Sequence, residues 1–263
     1  MTTNPLEGFT ESTFTADGTT RPVYRAGTGP AVIVIHEMPG LTPNVAAFGR
    51  RVVDAGFHVR MPSLFGEPGR PMSNPYVMRS ISQGCVAKEF VTFALNRTSP
   101  AITWLRALAA DAHEECGGPG VGAVGMCFTG GFALGMMVDD RMLAPVLSQP
   151  SLPFPLSPAR RRAVGVSNAD LERVKERAAA GACLLGLRFT KDPAVPAERF
   201  DTLRQALGDR FIAVEIDSSK GNPHDIPRAA HSVLTEHFVD EPGHPTRAAL
   251  DRVLDFFRTQ LVG

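Results

Sequence analysis

Hydrophobic residues change their period repeatedly along this chain, and each change predicts an element. Phe14 to Arg25 alternates loosely about Asp17-Gly18, a pair suited to the left-handed positions of a two-residue turn, so an antiparallel hairpin is expected there. Ala31 to Ile35 is an unbroken apolar run, the mark of a strand covered on both faces. Val45 to Ala55 carries apolar residues at helical spacing, with Asn44 placed as its N-cap. Phe57 to Met61 reads as the next strand. Residues 62–75, rich in Pro, Gly and Ser, predict a loop over the C-terminal edge of the sheet. Helices are expected over Val77–Ala94 and Ser99–His113.

The second half continues the alternation. Val121 to Val124 is a short strand-like run that leads, through a glycine-rich turn, into a helical stretch from Gly130 to Val138. Ala144–Ser148, Ala182–Phe189 and Phe211–Ile216 read as strands. Asn168–Ala180, 197–207 and 246–261 read as helices, and Gln149–Ser157 is proline-rich and irregular. Strands that alternate with helices imply right-handed crossovers, hence an α/β fold with a mostly parallel central sheet flanked by helices. No repeat or linker interrupts the pattern. One domain over 1–263 is expected, with 62–98 and 149–168 shaping a cleft.

Composition narrows the possible partners. Acidic and basic residues balance at 27 each, which argues against nucleic acid or an anionic membrane. The N-terminal residues lack the basic and apolar regions of a signal peptide, and no apolar run is long enough to span a bilayer, so a cytoplasmic location is expected. The four cysteines, at 85, 116, 127 and 183, show no Cys-x-x-Cys pairing and are expected as free thiols. Cys183 reads as a small core residue, and Cys116 as a loop residue without a visible partner.

Cys127 stands apart. It sits in Gly125-Met126-Cys127-Phe128-Thr129-Gly130-Gly131, between a strand and a helix, where a tight turn pushes a reactive side chain out of the backbone. That is the pattern of a nucleophile elbow, with cysteine in the usual place of serine. A thiol nucleophile needs a base, and the base needs a carboxylate to fix its tautomer. Asp192 follows the strand 182–189, and His231 lies beyond the strand 211–216. Nucleophile, acid and histidine thus occur in the order that α/β-hydrolases use. His224, His237 and His244 compete with His231, and their spacing fits no metal-binding pair, so no metal is expected. Trp104 and the run Arg160-Arg161-Arg162 read as a core residue and a solvated loop or helix start.

Three landmarks give the chain a likeness along nearly its whole length: Ile35-His36-Glu37-Met38-Pro39-Gly40, the elbow, and Asp192 to Pro196 followed by His231-Ser232. The chain resembles the dienelactone hydrolase family. The resemblance implies an α/β-hydrolase fold and a triad of Cys127, His231 and Asp192. It also implies an oxyanion hole from the backbone N–H groups of Met38 and Phe128, and a role for Glu37 beside the resting thiol. Ser232, the small polar neighbour of the histidine, is a candidate for substrate binding. The substrate implied is a small ester or lactone, hydrolysed through a cysteinyl thioester without cofactor. Two departures follow from the same likeness. Thr129 stands where the elbow often has glycine. The arginines that hold a substrate carboxylate in dienelactone-cleaving members would fall near Thr235 and Gln83, leaving Arg79, Lys88 and Arg97 as candidates for a displaced anchor. Alternatives on the same residues are a thioesterase or acyltransferase, and a redox-sensing protein that uses the Cys127 thiol.

Overall fold

A computed structural model describes residues 4–82 and 99–263 of the chain. The chain opens with strands β1 (Thr10–Ala16) and β2 (Thr19–Ala26), paired antiparallel from Thr10↔Arg25 to Ala16↔Thr19. Asp17 and Gly18 both take positive φ, +48° and +71°, as the two-residue turn requires. Strand β3 (Ala31–Ile35), helix α1 (Pro43–Asp54), β4 (His58–Pro62) and α2 (Asn74–Ser82) follow. Next come α3 (Pro100–Cys116), β5 (Val121–Met126), α4 (Gly130–Met136) and β6 (Met142–Ser148). The chain closes with α5 (Pro158–Arg162), α6 (Asn168–Ala179), β7 (Leu184–Phe189), α7 (Ala197–Leu207), β8 (Phe211–Ile216) and α8 (Pro245–Leu261).

The eight strands form one sheet in the order β1-β2-β4-β3-β5-β6-β7-β8. Only the β1–β2 and β2–β4 pairs are antiparallel, so the core is parallel as expected. Although Ala31 to Ile35 is apolar throughout, alternate residues serve different layers. Ala31, Ile33 and Ile35 pack with α3, α4, α6 and α7, while Val32 and Val34 pack with α1 and α8. The chain runs from β3 outward to β4 and then returns to β5 on the other side of β3. That reversal opens a crevice at the C-terminal ends of β3 and β5, the place where open α/β sheets bind ligands.

Several boundaries differ from expectation for physical reasons. Thr42, not Asn44, caps α1, with its hydroxyl accepting the Val45 N–H at 3.3 Å. Pro43 occupies the first helical position, where its fixed φ and missing N–H do no harm, so the cap falls on the residue before it. Cys116 ends α3 instead of lying in a loop, and partial burial raises its thiol pKa. Of the two forms expected for Arg160, Arg161 and Arg162 the helix is the one found: they close the short α5, capped by Ser157. The helix expected over Val77–Ala94 begins earlier, at Asn74; its later part, with Gln83, Cys85 and Lys88, lies outside the described residues, as does Arg97. Trp104 is buried, edge-on to Phe14, and its indole N–H reaches the Thr19 carbonyl at 2.9 Å. Among the described residues no helix is long and apolar enough to cross a membrane.

Candidate active site

Strand β5 ends at Met126, and the chain then turns through Cys127–Thr129 directly into α4. Cys127 has φ +53°, the left-handed region that an L-residue enters at about 1–2 kcal/mol. Two glycines let this turn close. A Cβ at Gly125 would lie 2.2 Å from the Thr129 carbonyl oxygen, and one at Gly130 would lie 2.6 Å from Pro150 Cα. Thr129 has a use that glycine lacks. Its buried hydroxyl accepts the Met126 N–H at 2.9 Å and lies 3.1 Å from the Ile35 carbonyl and 3.2 Å from that of His36. The elbow carrying Phe128 is thereby joined to the end of β3, just before Met38.

The three residues expected as a triad come together. His231, on the turn-rich segment after β8, has its Nδ1 2.6 Å from Asp192 Oδ2, and a ring nitrogen lies within 4.8 Å of the Cys127 sulfur. Asp192 is buried, and its other oxygen accepts the Ala194 N–H at 2.9 Å. Burial opposes a charge on His231. The Cys127 sulfur and the Asp192 carboxylate outweigh it and hold the imidazole pKa well above its ordinary value. His237 supports this segment from behind: its Nδ1 lies 3.4 Å from the His231 N–H and 3.3 Å from that of Ser232. His224 and His244 pair edge-to-face with each other.

Glu37 is buried at the end of β3, and three neutral groups hold it. The Ser232 hydroxyl donates to Oε2 at 2.6 Å, the Gln149 amide donates to the same oxygen at 3.2 Å, and the Thr235 hydroxyl donates to Oε1. Both Ser232, the candidate for substrate binding, and Thr235 thus direct their hydroxyls at Glu37. Donor atoms of Glu37, Cys127 and His231 lie within 4.8 Å of one another, close enough to share a cation. The hydrogen bonds already made by Glu37 and His231 suit acid–base work at the sulfur. Arg79 is exposed and 4.0 Å from Glu67.

Sequence reasoning missed three further residues. His36 is wholly buried, donating from Nδ1 to its neighbour's carbonyl at Glu37 (3.0 Å) and accepting the Leu64 N–H at Nε2 (3.0 Å). Burial lowers its pKa to about 4, so the ring is neutral and fixed in one tautomer. Gln149, with φ +37°, donates to Glu37 and accepts the Val233 N–H at 3.3 Å. Ser151 lies with its hydroxyl 3.3 Å from the Cys127 sulfur. A polar Ser-Gln pair closing an apolar strand was the available signal for Gln149; nothing local marks Ser151.

The profile of the dienelactone hydrolase family matches residues 20–261. Solved structures of similar shape include a candidate dienelactone hydrolase of Klebsiella pneumoniae, with TM-score 0.63 and 19% identity over 95% of this chain and 97% of that one. A promiscuous, dienelactone hydrolase-like phosphotriesterase from metagenomic libraries gives TM-score 0.62 and 16% identity over 96% and 98%. A cold-adapted esterase from an Arctic intertidal metagenomic library gives 0.59 and 15% over 97% and 95%. At these identities the likeness establishes the α/β-hydrolase fold. No curated relative matches the sequence significantly.

Proposed function

The chain belongs to the dienelactone hydrolase family, and from that premise we propose that its single domain hydrolyses a small carboxylic ester or lactone with Cys127, His231 and Asp192 as the triad. The observation that carries this reading is the 2.6 Å Asp192–His231 bond, with the Cys127 sulfur within 4.8 Å of the same imidazole.

In the first half-reaction the Cys127 thiolate attacks the ester carbonyl carbon, and the carbonyl electron pair moves onto oxygen. Backbone N–H groups of Met38 and Phe128 receive that oxyanion; preorganised donors of this kind contribute about 3–4 kcal/mol each. As the tetrahedral centre collapses, the carbon–oxygen bond to the leaving group breaks. Protonated His231 gives its proton to the departing oxygen, which leaves a cysteinyl thioester and a neutral imidazole. His231 then takes a proton from water as the water attacks the thioester, and breaking the carbon–sulfur bond releases the acid and restores the thiolate beside the imidazolium. Asp192 keeps Nδ1 protonated so that the other nitrogen faces the sulfur. A thiolate leaves more readily than an amine, which favours esters and lactones over amides.

A panel of lactones, aryl esters and acyl thioesters, with rapid acid quench and mass analysis of the Cys127 peptide, tests the proposal. Ester or lactone turnover through an acylated Cys127 is expected. Preference for thioesters would shift the assignment to a thioesterase. Turnover with no acyl adduct would refute the covalent mechanism, and no turnover alongside ready peroxide oxidation of Cys127 would favour a redox sensor.

A further inference from the structure

The nucleophile has a polar neighbour outside the triad. Ser151 is 3% exposed, its hydroxyl is 3.3 Å from the Cys127 sulfur, and its backbone N–H donates to the Cys127 carbonyl at 3.0 Å. One residue therefore grips both the main chain and the reactive atom of the elbow. Two independent features build this contact. Gly130 leaves room for Pro150 to lie against α4, since any Cβ there would meet Pro150 Cα at 2.6 Å. The buried guanidinium of Arg199 donates to the carbonyls of Pro150 (2.6 Å), Pro153 (2.6 Å), Ala163 (2.7 Å) and Arg160 (3.1 Å). A cation that spends its hydrogen bonds on four main-chain carbonyls holds a loop in one shape, and this loop is the one that presents Ser151.

We propose that Ser151 is a further catalytic residue: its hydroxyl donates a hydrogen bond to the Cys127 thiolate and keeps the anion in place for attack. This rests on the reading of Cys127 as the nucleophile. The neighbours of the sulfur give the donor its direction. Glu37 is a hydrogen-bond acceptor and a negative charge, so it cannot stabilise a thiolate. The His231 imidazole lies within 4.8 Å of the sulfur on one side, and the Ser151 hydroxyl supplies a donor from the end of β6. A hydrogen bond to an ionised sulfur is stronger than one to a neutral thiol, so the contact favours the reactive form. As the sulfur attacks and its charge passes to the carbonyl oxygen, this bond weakens and the hydroxyl needs no proton transfer to release it.

The test is alkylation of Cys127 by iodoacetamide, followed on the Cys127 peptide from pH 5.5 to 9.5, in wild type, Ser151→Ala and Ser151→Thr. Alkylation of the alanine variant at pH 6.5 is expected to slow about ten-fold, converging with wild type at pH 9.5. The threonine variant, which keeps the hydroxyl, is expected to recover most of the rate, and unfolding midpoints confirm that all three proteins are folded. Unchanged or faster alkylation of Ser151→Ala at pH 6.5 would overturn the proposal, because the hydroxyl would then be accepting from the thiol. A loss that threonine fails to restore would overturn it too, by assigning the effect to packing. Alkylation needs no ester, so this result stands apart from whether the wild-type protein hydrolyses one.

Discussion

The Ser232 hydroxyl donates a 2.6 Å hydrogen bond to Glu37 Oε2, joining residues that stand 195 positions apart. The neighbour of the imidazole is thus fastened to the neighbour of Met38, and the two sides of the crevice hold one register. Glu37 also places a buried acceptor within 4.8 Å of the sulfur. Replacing it with glutamine removes a negative charge that disfavours thiolate, so Glu37→Gln should speed Cys127 alkylation at neutral pH. The variant should also lose about 1–3 kcal/mol of stability, because its amide presents a donor to groups that already donate. An unchanged alkylation profile would remove Glu37 from the site.

Cys127→Ala should abolish ester turnover while leaving the unfolding midpoint nearly unchanged. The side chain is only partly buried, and the backbone at φ +53° is equally strained with either residue. Cys127→Gly should be more stable than Cys127→Ala by about 1 kcal/mol, since glycine enters this conformation freely. Retained turnover in either variant contradicts the proposed nucleophile.

Asp192→Asn should lower kcat by about 10²–10⁴-fold, the range typical for a displaced acid–base group. A histidine pKa that folding raises adds stability below the unfolded value near 6.5, and that stability is lost as pH rises through the folded value. The stability difference between wild type and the variant should accordingly be widest near pH 6 and narrow toward pH 10. Urea unfolding across that range measures it, and a gap that widens with pH would contradict the assignment.

His36 has the opposite sign. Its folded pKa of about 4 lies below the ordinary histidine value of 6.5, so the unfolded chain binds the extra proton and stability falls as pH drops from 6.5 through 4. Fully expressed, the loss is about 3 kcal/mol. His36→Gln, which keeps an acceptor near the Leu64 N–H, should unfold at lower denaturant at pH 7 yet show a flatter acid limb. A limb of unchanged slope would mean that another group governs acid unfolding.

Gly130→Ala sets two effects against each other. Alanine in a helix is favoured over glycine by about 1 kcal/mol. Here its Cβ would meet Pro150 Cα at 2.6 Å, a backbone atom that cannot swing aside, and overpacking of this kind costs about 1–3 kcal/mol. The clash should win, lowering the unfolding midpoint and, by displacing Ser151, the rate of Cys127 alkylation.

The fold was legible wherever periodicity and punctuation agreed. Ala31–Ile35 and Phe211–Ile216 match their expected limits, and Asp17-Gly18 makes the turn its residue types favour. The N-cap falls on Thr42 and not on Asn44 because Pro43 takes the first helical position, a signal that outranks the cap preference of asparagine. In the site, Cys127, Asp192 and His231 were legible because elbow chemistry and chain order are local or sequential signals. Ser151 was not, because its contact with the sulfur exists only when β6 lies beside β5 and Gly130 admits Pro150. Likewise, nothing near Thr235 announces that its hydroxyl ends on Glu37.

Arg199 divides the segment after β6 into two kinds of territory. Its grip on Pro150 and Pro153 holds the part that touches the elbow, whereas Phe154 and Leu156, just beyond, are 43% and 78% exposed. Both side chains reach solvent between the carbonyls that Arg199 holds at Pro153 and at Arg160. Transplanting the entire segment into a scaffold lacking that arginine would strip it of its anchor, so any exchange of the exposed stretch has to keep Arg199 and the carbonyls it holds on either side.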